Sequence, residues 1–186
     1  MSKTILPVLI ALMTMTACAA QADDHPRSVT ATQTVLQKMA PTSKITCKDD
    51  GYGQAACEAD GVEVDLLGCG DGGLYGVTSG KGGVDLNQSI HGKGPVLAHV
   101  ADRQFVCVAA IEKNSDAPNY YVIAIPTASV PECKGSGLCE GADHPVQLKR
   151  ATTGKSCKAD GNGEYTGDCA AGWVRESELD QYANGI

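Results

Sequence analysis

Apolar residues change their spacing along this chain, and each change marks a different kind of element. Over residues 28–40, Val29, Leu36, Met39 and Ala40 fall near one face of a helix. Ser28 stands where an N-cap is needed, and Pro41 cannot continue the turn. Residues 45–59 then have the form of a hairpin, with Ile45-Thr46-Cys47 and Ala55-Ala56-Cys57-Glu58-Ala59 on either side of the turn-rich Lys48-Asp49-Asp50-Gly51. Val62, Val64 and Leu66 alternate with Glu63 and Asp65, the period-2 signature of a half-buried strand. Glycine is so dense over residues 68–83 that only short strands or loops can form there. Residues 105–111 and 120–125 are apolar at alternate and intervening positions alike, as a strand covered on both faces should be, with a turn at Asn114-Ser115-Asp116-Ala117-Pro118-Asn119 between them.

The sharpest local pattern is CKADGNGEYTGDCAAGWVRESEL, residues 157–179. Asp160-Gly161-Asn162-Gly163 tolerates positive φ, so the chain can reverse there and bring Cys157 and Cys169 within bridging range. Gly172-Trp173-Val174 follows, then Arg175-Glu176-Ser177-Glu178-Leu179. This ending resembles the close of bacterial SH3-like domains, in which a last strand carries the aromatic and a short helical turn plugs the barrel with the Leu. Val84-Asp85-Leu86-Asn87 and residues 94–100 are similar to the opening strands of such a domain, so the resemblance spans about residues 84–182. It implies a small SH3-like barrel that Trp173 helps to fill. Residues 127–171 are a long insertion before the last strand. A loop of that length is seldom left unstructured in a compact domain, so its four cysteines should staple it.

The start of the chain supplies an address. A lone Lys3 precedes an apolar run over residues 5–15 that is too short to cross a bilayer, so the segment is a secretory signal. Met15-Thr16-Ala17-Cys18 resembles a bacterial lipobox, which makes residues 1–17 the signal and Cys18 the lipidated residue. Ala20-Gln21-Ala22 offers the competing cleavage before Asp23, which would leave a soluble periplasmic or secreted protein. Ala19 after Cys18 is not the Asp sorting signal of enteric type, so the periplasmic face of the outer membrane is expected, with attachment through the acyl chains alone. The expected organisation is a tether and short helix over 18–42, β hairpins and the Gly-rich segment over 43–83, and the SH3-like β domain over 84–186.

Cysteine usage agrees with export. Of nine cysteines, Cys18 aside, eight remain: Cys47, Cys57, Cys69, Cys107, Cys133, Cys139, Cys157 and Cys169. An even set behind a signal is a disulfide framework. Cys47 with Cys57, Cys133 with Cys139 and Cys157 with Cys169 flank turns, which leaves Cys69 for Cys107. There is no CxxC, and the four His are scattered without ligand spacing, so zinc is not expected. The fold class is therefore mainly β, a small SH3-like barrel with disulfide-stapled loops and a short N-terminal helix.

Loss of Lys3 with the signal takes the formal charge from −7 to −8, which argues against nucleic acid or anionic lipid and fits a basic partner or simple solubility, the commoner reason for such a balance. No GxSxG or HExxH occurs, and an even cysteine count leaves no spare thiol, so neither catalysis nor a cofactor is expected. Asp160, Asn162, Glu164, Thr166 and Asp168 place oxygens at alternate positions, as in a calcium loop. The EF-hand Gly and the closing Glu are replaced by Tyr165 and Ala171, so no metal is assigned. Asp160, Glu164, Tyr165 and Asp168 are instead the expected rim of a partner-binding loop, since binding residues concentrate on loops held by a scaffold. Tyr52, Tyr75, Tyr120, Tyr121 and Tyr165 are candidates for a recognition groove. The leading functional expectation is a non-enzymatic envelope lipoprotein that binds a periplasmic protein as an inhibitor or immunity protein against a toxin. The SH3-like resemblance implies a second, a module binding peptidoglycan or its stem peptide. A third is an envelope hydrolase whose catalytic groups meet only in space.

Overall fold

The computed structural model describes residues 27–70, 73–160 and 164–182. The expected signal segment and Cys18 lie outside the described residues, as do Gly161, Asn162 and Gly163 of the expected reversal. In chain order the elements are helix α1 (Val29–Met39) and strands β1 (Ile45–Asp49), β2 (Ala55–Ala59), β3 (Val62–Leu66), β4 (Leu74–Thr78), β5 (Val84–Asn87), β6 (Val96–Val100), β7 (Phe105–Glu112), β8 (Asn119–Ala124), β9 (Gln147–Leu148), β10 (Lys158–Ala159), β11 (Tyr165–Thr166), β12 (Ala171–Arg175) and β13 (Leu179–Tyr182). Single 3-10 turns stand at Thr127–Ser129, Pro131–Cys133 and Glu176–Glu178. The protein is thus mainly antiparallel β with one short N-terminal helix.

β7 and β8 are the centre, and their continuous apolar runs are explained by cover on both faces. Val106 and Val108 of β7, with Val122 and Ala124 of β8, face one cluster, which Val84, Leu86, Ala98, Val100, Val174 and Leu179 complete. Phe105, Cys107, Ile123 and Ile125 face the other way, onto Val130, Cys133, Cys139, Ala142 and Cys169 of the long insertion. The insertion is therefore a lid over the outer face of the central strands. A third cluster lies under α1, where Leu36 and Ala40 meet Ile45, Cys57, Val64, Ile90 and Trp173. Burying side chains of this size is worth about 1.5–3 kcal/mol each.

One edge of β7 is shared by two partners. β3 pairs with its C-terminal half and β4 with its N-terminal half. Where they part, the amides of Leu67 and Gly68 both donate to the Ala109 carbonyl, at 2.8 and 3.1 Å. The β7–β8 register slips between Val108 and Ala110, so the bulge and the change of partner coincide. The main strand order is β1-β2-β3-β7-β8-β12-β5-β6-β9, with β4 on β7 and β13 on β4.

The sequence leads one to expect a small closed barrel, and the described strands do not close. β12 and β13 follow each other through the 3-10 turn Glu176–Glu178 and do not pair, so the circuit β13-β4-β7-β8-β12 stays open at that seam. β12 turns its other edge to β5 through Trp173 and Asn87. Trp173 is buried at 1% exposure, but it does not fill the interior bounded by β5, β6, β7 and β8. Its neighbour Val174 takes that place, because successive strand residues point to opposite faces.

Four disulfides are formed: Cys47–Cys57, Cys69–Cys107, Cys133–Cys139 and Cys157–Cys169. Three are the pairings that the turns suggest, and Cys69–Cys107 is the one left by elimination. They mark an oxidising, extracytoplasmic location. No helix among the described residues is long and apolar enough to cross a membrane.

Candidate functional site

The loop singled out by its carboxylates is folded onto the body. Asp160 accepts the Glu164 amide at 3.2 Å across the end of the β10–β11 hairpin. Glu164 pairs with Arg27 at 3.7 Å. The Tyr165 hydroxyl lies 3.2 Å from Ser129 Oγ, and its ring packs against the cluster beneath the insertion. Asp168 is the most committed of the four. Its carboxylate accepts the Thr153 amide at 2.9 Å, the Gly154 amide at 2.7 Å and the Thr153 hydroxyl at 3.1 Å, with Arg150 at 3.6 Å. The side chain is 11% exposed, and the Thr153 amide leads the contacts that hold its carboxyl below the usual carboxylate range. Such a carboxylate fastens the segment before β10 to the segment before β12.

The tyrosines separate as sharply. Tyr75 stacks on Phe105 with ring centroids 5.7 Å apart, and Tyr120 is buried beside Glu176. Tyr121 meets Trp173 edge-on at 5.5 Å, and burial pushes its hydroxyl up to about 12. Tyr52 stands apart at 91% exposure. It occupies the tip of the β1–β2 hairpin, which turns over residues 50–54, later than the expected Lys48-Asp49-Asp50-Gly51 because Lys48 and Asp49 still pair with Ala56 and Ala55.

That tip is locally locked. Gly51 and Gly53 have φ of 86° and 83°, a left-handed conformation that costs glycine little, and they set Tyr52 between them at the apex. Asp49 Oδ1 accepts the Gly51 amide at 2.7 Å, and Asp50 Oδ1 accepts the amides of Tyr52 at 2.7 Å and Gln54 at 3.0 Å. Cys47 and Cys57 sit directly opposite each other, Cα to Cα 4.1 Å, and their bridge ties the two strands below the tip. Every residue from 48 to 54 is exposed. The signal in the sequence was Asp-Asp-Gly-Tyr-Gly enclosed by two cysteines, which hydrophobic pattern alone does not rank above other tyrosines.

Other candidate chemistry is less open. His99 Nδ1 lies 2.7 Å from Asp85 Oδ1 and Nε2 lies 3.0 Å from the Gly82 carbonyl, so both ring nitrogens face acceptors and neither is left for a nucleophile. The pair secures the turn before β5 to β6, next to a cleft of about 340 Å³ that includes Asp102 and Gln147. A second hollow of about 510 Å³ lies over the Cys133–Cys139 loop, and Thr127 and Asp143 on its wall bond each other at 2.7 Å. Among the described residues no group of three or more His, Cys, Asp or Glu is placed to hold a metal ion. Compared with models of protein families, with curated proteins and with solved structures, the chain matches none.

Proposed function

We propose that this protein is a non-enzymatic lipoprotein of the bacterial cell envelope, anchored through Cys18 on the periplasmic face of the outer membrane, that binds another protein as an inhibitor or immunity protein against a toxin. The observation that carries this reading is the stapled hairpin with Tyr52 at its tip. A loop held by a disulfide and by paired Asp turns loses little backbone entropy when the tyrosine at its apex, exposed to 91%, is bound, so more of the contact energy becomes affinity. Tyr is also among the residues that dominate binding hot spots. The contact site moves accordingly from Asp160, Glu164, Tyr165 and Asp168 to the β1–β2 tip.

The frame of this unit is proposed to be an SH3-like barrel with an open seam. What supports it is the order β13-β4-β7-β8-β12, the 3-10 turn between β12 and β13, and Leu179 at 8% exposure beyond that turn.

The test is a paired capture. Wild type and Tyr52→Ala, each as the acylated protein, are incubated with envelope extract and with purified cell-wall sacculi. The proposal expects a stoichiometric protein complex that Tyr52→Ala loses. Sedimentation with sacculi and no protein complex would favour the peptidoglycan module.

A further inference from the structure

Resting on that reading, we infer that the β1–β2 tip enters a cleft in its partner whose floor takes the Tyr52 ring and whose rim carries Arg or Lys. The shape argument is that residues 48–54 are all exposed and form a narrow convex finger, which buries its apex aromatic only in a concave surface. The charge argument concerns Asp49 and Asp50. Each uses Oδ1 to accept backbone amides of the turn, which fixes the carboxylate in place. Neither takes part in an ion pair with the described residues, although Glu63, Asp65, Glu164 and Asp168 all do. Two carboxylates held in place, beside an exposed ring carried on a held backbone, are therefore ready to accept from cations arranged around a pocket.

The same arrangement disfavours other occupants. An anionic lipid surface or a nucleic acid would meet paired carboxylates at the point of closest approach. A flat apolar surface would leave Asp49 and Asp50 desolvated without partners. A protein cleft with a cationic rim satisfies the ring and both carboxylates together. A finger of this kind blocks whatever normally enters that cleft, which gives the inhibitor reading a physical mode of action.

The experiment places a photo-crosslinking benzoylphenylalanine at position 52, and separately at position 164, in the acylated protein in cells. The crosslinked peptide is identified, and binding of the purified partner is then followed against salt. The inference expects an adduct from position 52 with a peptide that lines an Arg- or Lys-rimmed cleft, and an association rate that falls about tenfold or more between low and high salt. The double variant Asp49→Asn, Asp50→Asn keeps a side-chain oxygen for the turn amides, and it should remove most of that salt dependence while the thermal midpoint stays close to wild type. An adduct from 164 and none from 52 would overturn the inference while leaving protein binding standing. So would an adduct from 52 whose association ignores salt. No protein adduct from either position, with sedimentation on sacculi, would overturn the parent reading instead.

Discussion

The indole Nε1 of Trp173 donates to the carbonyl of Met39 at 2.9 Å, which ties β12 to the last turn of α1 across 134 residues of sequence. The helix C-terminus has carbonyls without an intrahelical partner, and this one is satisfied by a buried donor. The ring also meets Tyr121 edge-on, so one residue joins the helix, β12 and β8. Trp173→Phe should keep most of the packing, remove the donor and cost about 1–2 kcal/mol. Trp173→Ala should cost about 3–5 kcal/mol. Urea denaturation of both variants checks the order.

The disulfides should not contribute equally. Cys69–Cys107 closes a sequence separation of 38, whereas Cys47–Cys57, Cys157–Cys169 and Cys133–Cys139 close 10, 12 and 6. Chain entropy then gives about 4 kcal/mol for the first, about 3 for the next two and about 2 for the last. Paired Cys→Ala variants measured by thermal unfolding should rank in that order. Loss of Cys47–Cys57 should also weaken partner binding, since it loosens the hairpin that carries Tyr52.

Acid should act through Asp168 and Asp60. Amide hydrogen bonds lead the causes of both depressed carboxyl pKa values, from Thr153 to Asp168 and from Lys44 to Asp60. A folded-state pKa below the unfolded one means that the contribution is full above the unfolded value and is lost as pH falls through the folded value, below about pH 4. Stability measured from pH 7 to pH 2 should fall steeply in that window. Asp168→Asn should lower stability at neutral pH and flatten the acid limb.

Gly172 is a close-approach glycine. A Cβ there would stand 2.8 Å from the Asn87 carbonyl oxygen and 3.0 Å from Leu86 Cβ, at the one place where β12 and β5 pair. Gly172→Ala should push these strands apart and cost about 1–3 kcal/mol. Hydrogen exchange should show earlier opening at Leu86 and Asn87 than in wild type.

Much of the scaffold is legible in the residues. Ser28 and Pro41 bracket α1, the unbroken apolar runs mark β7 and β8 as doubly covered, and turn-flanking cysteines pair as their spacing suggests. These signals are local, or depend on burial alone. What depends on long-range placement is not legible. Trp173 reads as barrel filling, yet the identity of the face toward α1 is set by β12's register against β8. Asp168 reads as a surface acid because the amides of Thr153 and Gly154 that surround it arrive from 15 and 14 residues away. Five tyrosines look alike in sequence, and only tertiary packing leaves Tyr52 in solvent.

The most direct measurement is the affinity of Tyr52→Ala for the captured partner, by calorimetry, beside an Asp160→Ala, Glu164→Ala variant. The side chain of Tyr52 supports nothing in the fold at 91% exposure, so the thermal midpoint should not change. A hot-spot anchor predicts a loss of at least about 2 kcal/mol, roughly thirtyfold, for Tyr52→Ala, with the Asp160, Glu164 variant near wild type. Unchanged affinity for Tyr52→Ala in a correctly folded protein would contradict the account.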